Sequence, residues 1–442
     1  MELPSRRTFA VGSVVALGAL VLTTGPLYRV RTWWAFSDPL AADVAVVAVQ
    51  VLVGAVAIVA LATDGRWRRV DPRMGVVALA LVAWMAFGAL WSPDASTTLR
   101  ESLMVGVTLA AGMGAAAAVT ERTLVVGSWI GIQLGLAWSA VVIVTVQPGS
   151  QDRGGEFAGV YFNPNSLALV AAVGIFLSFV AALQLARHQH RWIAFGVLTA
   201  AIVADLWLII GAGALTPLVG LVVGLAVAGS AILGRRIVGP VGRWPTDAGR
   251  VSAVVGVGLV AVATVAWATR SSWLSAVGRS STLTGRTEAW DVAIDWFWKQ
   301  PIVGQGYLGA WFDPEFAAAQ LAARGEVLGS THNSFVELLL GAGIVGFGLA
   351  VALFALAWIA AGRRALTGVG LLAAWPLAAL VFVIMENLAE TLWVGGQLAV
   401  AMLGAIVVVS TSQSSSGPPP EPSSAGATID SEVDVVGVER GR

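Results

Sequence analysis

Uncharged apolar runs of roughly 20 residues recur along the chain, separated by short polar connections that carry Arg, Pro or Gly. Each run is the length a helix needs to cross the hydrocarbon core of a bilayer. The pattern predicts spans near 8–27, 39–62, 74–91, 102–119, 123–146, 163–184, 192–211, 213–233, 251–269, 333–361, 365–385 and 391–410. Two of them are separated only by the turn Gly211-Ala212-Gly213. The expected fold is an all-α polytopic membrane protein of about twelve transmembrane helices. One connection is long. Residues 1–269 hold nine helices, 270–332 form a large loop with short amphipathic helices, 333–410 hold three more helices, and 411–442 form a Ser/Pro/Gly-rich tail. The tail lacks periodicity and is expected to be disordered.

Composition agrees with the pattern. Of 442 residues 57% are hydrophobic and 12% charged, with mean hydropathy +0.81, against about 25% charged in soluble domains. A net charge of zero and the absence of Lys/Arg runs give nucleic acid nothing to bind. With no cysteine, disulfides, thiolate nucleophiles and Cys-ligated metal are excluded.

Fifteen of the 26 Lys and Arg residues fall on one side of these spans, nine on the other and two in the tail. The positive-inside rule then puts both termini in the cytoplasm and the long loop outside. Ser5-Arg6-Arg7-Thr8-Phe9 resembles a twin-arginine export signal, but with so many spans following it reads as the flank of a first transmembrane helix.

In the long loop Thr284 can cap a helix reaching about Lys299. Trp290, Ala293, Ile294 and Phe297 share one face of it, and Glu288, Asp291, Asp295 and Lys299 the other. Such a helix suits the membrane interface, where it would roof a cavity. Asp313 and Pro314 then start a second short helix, ended by Gly325, and the loop closes at Thr331-His332-Asn333.

His332 is the only one of three histidines outside; His188 and His190 fall in a cytoplasmic loop. Two readings stand for it: a helix-start residue that bonds locally or to lipid headgroups, and a proton-transfer group. Arg286 lies in the first turn of the interfacial helix, where a guanidinium beside a helix N-terminus suits a diphosphate; snorkelling to headgroups is the other reading. Asp291 and Asp295 read as a solvated stripe, with Asp295 and Lys299 spaced for an ion pair, or as a metal site. Arg153, Glu156, Asn163 and Asn165 lie at outer span ends, with Glu337, Glu386 and Glu390 near the outer leaflet. Ionisable groups at membrane depth are functional candidates by default, whereas Asn163 and Asn165 also read as helix caps. Asp205 is an isolated charge with a packing or relay role. Gly341, Gly343, Gly346 and Gly348 read as sites of close helix packing.

Three segments resemble the O-antigen ligase and polysaccharide polymerase family of bacterial envelope glycosyltransferases. They are Gly155-Glu156-Phe157-Ala158-Gly159-Val160-Tyr161-Phe162-Asn163-Pro164-Asn165, Thr284-Gly285-Arg286-Thr287-Glu288-Ala289-Trp290, and Pro301 to Gly306 leading to Thr331-His332-Asn333-Ser334-Phe335. The resemblance implies transfer of a glycan from an undecaprenyl-diphosphate carrier to an acceptor on the outer face of the bacterial cytoplasmic membrane, with no cofactor, bound metal or nucleotide sugar. It would put Arg286 on the diphosphate and His332 in the reaction, as base or second phosphate contact. Arg153, Asn163, Asn165, Asn333 and Glu337 are the expected substrate-binding residues. Many members carry a Ser-Arg pair between the seventh and eighth spans, where this chain reads Gly211-Ala212-Gly213-Ala214-Leu215; Arg153 is a candidate to supply that charge. Alternatives are a flippase for lipid-linked glycans and a metal-dependent transferase built on Asp291 or Asp295. Ligase and polymerase differ in acceptor, and no residue decides between them.

Overall fold

The computed structural model describes residues 18, 39–62, 68–146, 151–152, 156–161, 163–186, 189–214, 216–238, 286–368, 370–393 and 397–411. The expected span 8–27 apart from residue 18, the span 251–269, Arg153, Thr284 and the tail from 412 lie outside them. A helix lies at each of the other ten expected spans: α1 (Pro39–Ala62), α2 (Pro72–Phe87, extended by a 3-10 turn to Leu90), α3 (Ala95–Ala118), α4 (Glu121–Val146), α5 (Pro164–Leu185), α6 (Arg191–Ala212), α7 (Thr216–Val238), α10 (Ser334–Thr367), α11 (Trp375–Ala389) and α12 (Leu398–Thr411). The loop contributes α8 (Arg286–Phe297) and α9 (Pro314–Arg324). The strands among the described residues are one two-residue pair, Gln151–Asp152 with Glu156–Phe157. Seven of the helices are long and apolar enough to cross a membrane; α11, α12 and the Ala48–Val59 stretch of α1 are shorter apolar helices. The protein is an all-α polytopic membrane protein.

Local chemistry sets the boundaries. Gly213, at φ 65, ends α6 in the left-handed conformation and separates it from α7. Two boundaries differ from expectation. The run expected at 365–385 splits, because α10 continues through Arg363 and Arg364 to Thr367 and α11 begins only at Trp375. The last helix starts at Leu398, leaving 391–393 outside any helix. Apolarity marks what can lie in a membrane, and backbone turns decide what is helix.

α5 and α11 are apolar on almost every face and buried, while Leu79, Val76, Ile210 and Val203 point outward from the bundle, as lipid-facing positions do. α3 packs against α1, α2 and α12; α10 packs against α2, α7, α11 and α12. Some buried hydroxyls return to their own helix: Ser102 donates to the Thr98 carbonyl at 2.6 Å and Ser178 to that of Gly174 at 2.9 Å. At one end of α10, Arg364 pairs with Glu121 at 2.6 Å and donates to the Val409 carbonyl, and Trp375 also donates to Glu121. That network ties α4, α10, α11 and α12 together.

The opposite end carries the loop. α8, α9 and the first turns of α10 share a small core of Ala293, Trp296, Ala310, Phe316 and Leu340. The buried face of α8 is therefore Ala289, Ala293, Trp296 and Phe297, with Ile294 40% exposed. This corrects the expected stripe by a rotation of the helix, because Trp296 is drawn inward by Phe316, whose ring centroid lies 5.4 Å away. Lys299 sits over the Trp296 ring and not against Asp295.

α10 is kinked at Gly343, whose φ 65 and ψ −169 are not helical. The segment after α8 fills the break: Gln305 N–H donates to the Leu340 carbonyl at 2.8 Å, and Ile344 N–H to that of Pro301 at 2.9 Å. A Cβ on Gly343 would sit 2.3 Å from the Ile302 carbonyl oxygen, and one on Gly304 2.5 Å from Gly343 N. Gly341 likewise abuts Tyr307 and Gly346 abuts Trp84, while Gly348 has nothing within 4 Å. Trp84 and Trp91 fasten the same place, donating to the Ala342 and Gly304 carbonyls at 2.8 and 2.9 Å. Backbone groups freed inside a membrane protein need such partners.

Candidate functional site

Three motifs far apart in sequence meet on one carboxylate, that of Glu390, just past the end of α11. Arg286, the first residue of α8, donates from Nη2 to Glu390 Oε1 at 2.8 Å and from Nη1 to the Ala389 carbonyl. Asn165, in the first turn of α5, donates from Nδ2 to the same oxygen at 2.7 Å. His332 Nδ1 lies 2.9 Å from the other oxygen, Oε2. Burial alone would raise the Glu390 pKa, but the His332 hydrogen bond and the Arg286 and His332 charges outweigh it and hold it below the ordinary value. Glu390 is therefore an acceptor-only carboxylate.

That charge state makes His332 Nδ1 the donor, whether the imidazole is neutral or charged. A neutral His332 must donate from Nδ1 to the carboxylate, which leaves the lone pair on Nε2. Arg286 carries five N–H donors, of which, among the described residues, two are used by Ala389 and Glu390. The remaining donors belong to a guanidinium that is 22% exposed.

The backbone around His332 is held from both sides. His332 has φ 51, an uncommon conformation for a residue with a side chain. Before it, Thr331 receives a bond from Trp290 Nε1 at 2.7 Å on its carbonyl and donates from N to Glu337 Oε2 at 3.0 Å, while its one hydroxyl proton is shared between the Asn333 carbonyl at 2.8 Å and the same Glu337 oxygen at 3.1 Å. After it, Asn333 caps α10 by accepting from Phe335 and Val336 N–H, and donates to the Leu388 carbonyl at 3.2 Å. Ser334 donates to the Glu390 carbonyl at 3.0 Å and accepts from Leu392 N–H at 2.8 Å.

The other expected site residues take simpler places. Asn163 caps α5, accepting from Asn165 N–H at 2.8 Å. Glu337 is fully buried and also accepts from Trp311 Nε1 at 2.6 Å, so it supports the loop from beneath. Arg153 lies outside the described residues. Asp291 and Asp295 are exposed on α8, and no group of His, Asp or Glu among the described residues is arranged to hold a metal ion. Asp205 is buried within the bundle, accepting from Gln133 at 2.8 Å. His190 lies exposed at the start of α6; His188 lies outside the described residues. Where the family's second arginine is absent, the Phe157 ring fills the space beside Gly211 so closely that an added Cβ would lie 2.0 Å from it. Glu156 Oε1 would lie 3.0 Å from a Cβ on Gly213.

Sequence reasoning placed Glu390 among ionisable groups near the bundle end without giving it a role. Its signal was an acid between two apolar runs; its three donors come from motifs 58, 104 and 225 residues away.

Residues 200–351 match the O-antigen ligase family. That segment includes Arg286 and His332, while Asn165 and Glu390 lie outside it. The chain is also 28% identical over 262 residues to the exopolysaccharide production protein ExoQ of Rhizobium meliloti (strain 1021). That match spans 58% of this chain and 58% of the relative's length. The likeness to the O-antigen ligase and polysaccharide polymerase family drawn from the three sequence motifs is thus borne out by both comparisons.

Proposed function

We propose that the protein is a membrane glycosyltransferase that moves a glycan from an undecaprenyl-diphosphate carrier to an acceptor hydroxyl on the outer face of the bacterial cytoplasmic membrane. Both termini then lie in the cytoplasm, 270–332 is the outer loop and the two spans outside the described residues complete a twelve-helix bundle. The observation that carries this reading is the shared Glu390 carboxylate, which orients a guanidinium and an imidazole together.

In this reading the acceptor oxygen attacks the anomeric carbon as the bond from that carbon to the diphosphate oxygen breaks, and the electron pair leaves with the diphosphate. The donors of Arg286 that the described residues leave unengaged meet the charge that builds on the leaving group. His332 Nε2 takes the acceptor proton, while Glu390 holds Nδ1–H and stabilises the imidazolium that forms, the role a carboxylate plays in hydrolytic triads. The step inverts the anomeric centre and uses no metal. Asn165 holds Glu390 in place. Apolar grooves between helices would take the prenyl tail.

The test is to compare lipid-linked glycans in cells lacking the protein, complemented with wild type, Arg286→Ala or His332→Ala. Intact units accumulating on the outer leaflet and cleared only by wild type support the proposal and mark a polymerase; long unattached chains mark a ligase. Units trapped on the inner leaflet would make the protein a flippase and sink the proposal.

A further inference from the structure

Glu337 spends a fully buried carboxylate at the start of a membrane helix, where ionisable groups are costly. It contacts neither Arg286 nor the Glu390 carboxylate. Both its oxygens are occupied: Oε1 by Trp311 at 2.6 Å and Oε2 by Thr331 N at 3.0 Å, with Thr331 Oγ1 3.1 Å from Oε2 and 2.8 Å from the Asn333 carbonyl. The residue that follows Thr331 is His332, in its left-handed conformation. Such a backbone persists only where its surroundings over-determine it. On the far side Asn333 is tied to α11 through Leu388. On the near side Glu337 is, among the described residues, the side chain that accepts from Thr331. Trp290, one turn along α8 from Arg286, holds the Thr331 carbonyl at 2.7 Å, so the same strut sets the separation of guanidinium and imidazole.

We propose that Glu337 is a positioning residue: clamped by Trp311, it fixes Thr331 and thereby keeps the His332 imidazole on the Glu390 carboxylate and at a set distance from Arg286. This replaces the sequence-based expectation that Glu337 binds substrate. It rests on the reading of His332 as the base. The clamp needs an acceptor at both oxygens, one for Trp311 N–H and one for Thr331 N–H. A glutamine keeps the size but turns one oxygen into an NH2 donor, facing either Trp311 N–H or the Thr331 donors. A shift of about 1 Å in a reacting group is enough to cost about a hundredfold in rate.

The test uses the purified full chain in lipid nanodiscs and, as donor, the lipid-linked glycan extracted from membranes of cells lacking the protein, with release of polyprenyl diphosphate as the readout. Glu337→Gln is expected to lower kcat about tenfold or more at unchanged KM. Thr331→Ser, which keeps the hydroxyl, is expected to retain wild-type kcat, and Thr331→Val to lose it in the same way. Trp311→Phe removes the clamping N–H without removing the ring and carries the same expectation should Glu337→Gln fail to fold. Wild-type kcat in folded Glu337→Gln, or in Trp311→Phe if it must stand in, alongside an inactive His332→Ala would overturn the inference and leave the base assignment standing. A raised KM at unchanged kcat would also overturn it, because Glu337 would then be touching substrate. An active His332→Ala would instead overturn the reading on which the inference rests.

Discussion

Glu390 is a carboxylate because its donors make it one, and this has a measurable sign. Its folded pKa lies below the ordinary 4.5, so the stability it contributes is present above that value and is lost as pH falls through the folded pKa. The melting temperature of wild type is expected to exceed that of Glu390→Gln at neutral pH, with the gap closing in acid below about 4.5; a gap that persists unchanged there would contradict the charge state. The same variant is expected to lower transfer about tenfold or more, since a glutamine no longer stabilises the imidazolium. Arg286 was legible in the sequence from its place in the first turn of the loop helix, and His332 as the one histidine of three expected outside, each within a short motif. Glu390 was not legible as their partner, because nothing within its own neighbourhood distinguishes it from Glu386 four residues earlier. Only the fold brings Asn165, Arg286 and His332 to it.

Among the elements, α10 has a sequence that reads as one long apolar helix, yet it is broken at Gly343 by an inserted segment. The apolar period locates a helix but says nothing of a neighbour's backbone entering it, so the glycine series read only as close packing. Gly343→Ala would force a Cβ against the Ile302 carbonyl in a conformation that only glycine adopts readily. It is expected to destabilise the folded protein by about 1–3 kcal/mol or more, seen as a lower melting temperature or loss of folded material. Trp84→Phe, which removes one hydrogen bond to the broken helix, is expected to cost about 1 kcal/mol. A Gly343→Ala protein as stable as wild type would mean that the kink is not built in. In α8 the helix was legible and its buried face only half so: Ala293 and Phe297 are buried as expected, but Trp296 is buried by partners on α9 that lie beyond the helix's own period.

For the whole molecule, hydropathy placed ten helices at expected spans because the lipid-facing surface and the core are both apolar, and length alone then counts crossings. Partner choice among those helices was not legible, since packing between apolar faces depends on shape. The two ends differ in kind. One is tied by the Arg364–Glu121 pair, and the other gathers the polar residues of three motifs. The exposed Asp291 and Asp295 stand apart from that gathering, so Asp291→Asn and excess chelator are each expected to leave transfer at the wild-type rate; loss of transfer on chelation would favour a metal-dependent reaction. The most direct test of the central claim is transfer by His332→Ala in cells lacking the native protein. The expected result is accumulation of intact lipid-linked glycan on the outer leaflet, as with no protein at all. Wild-type levels of mature polysaccharide from that variant would contradict the account.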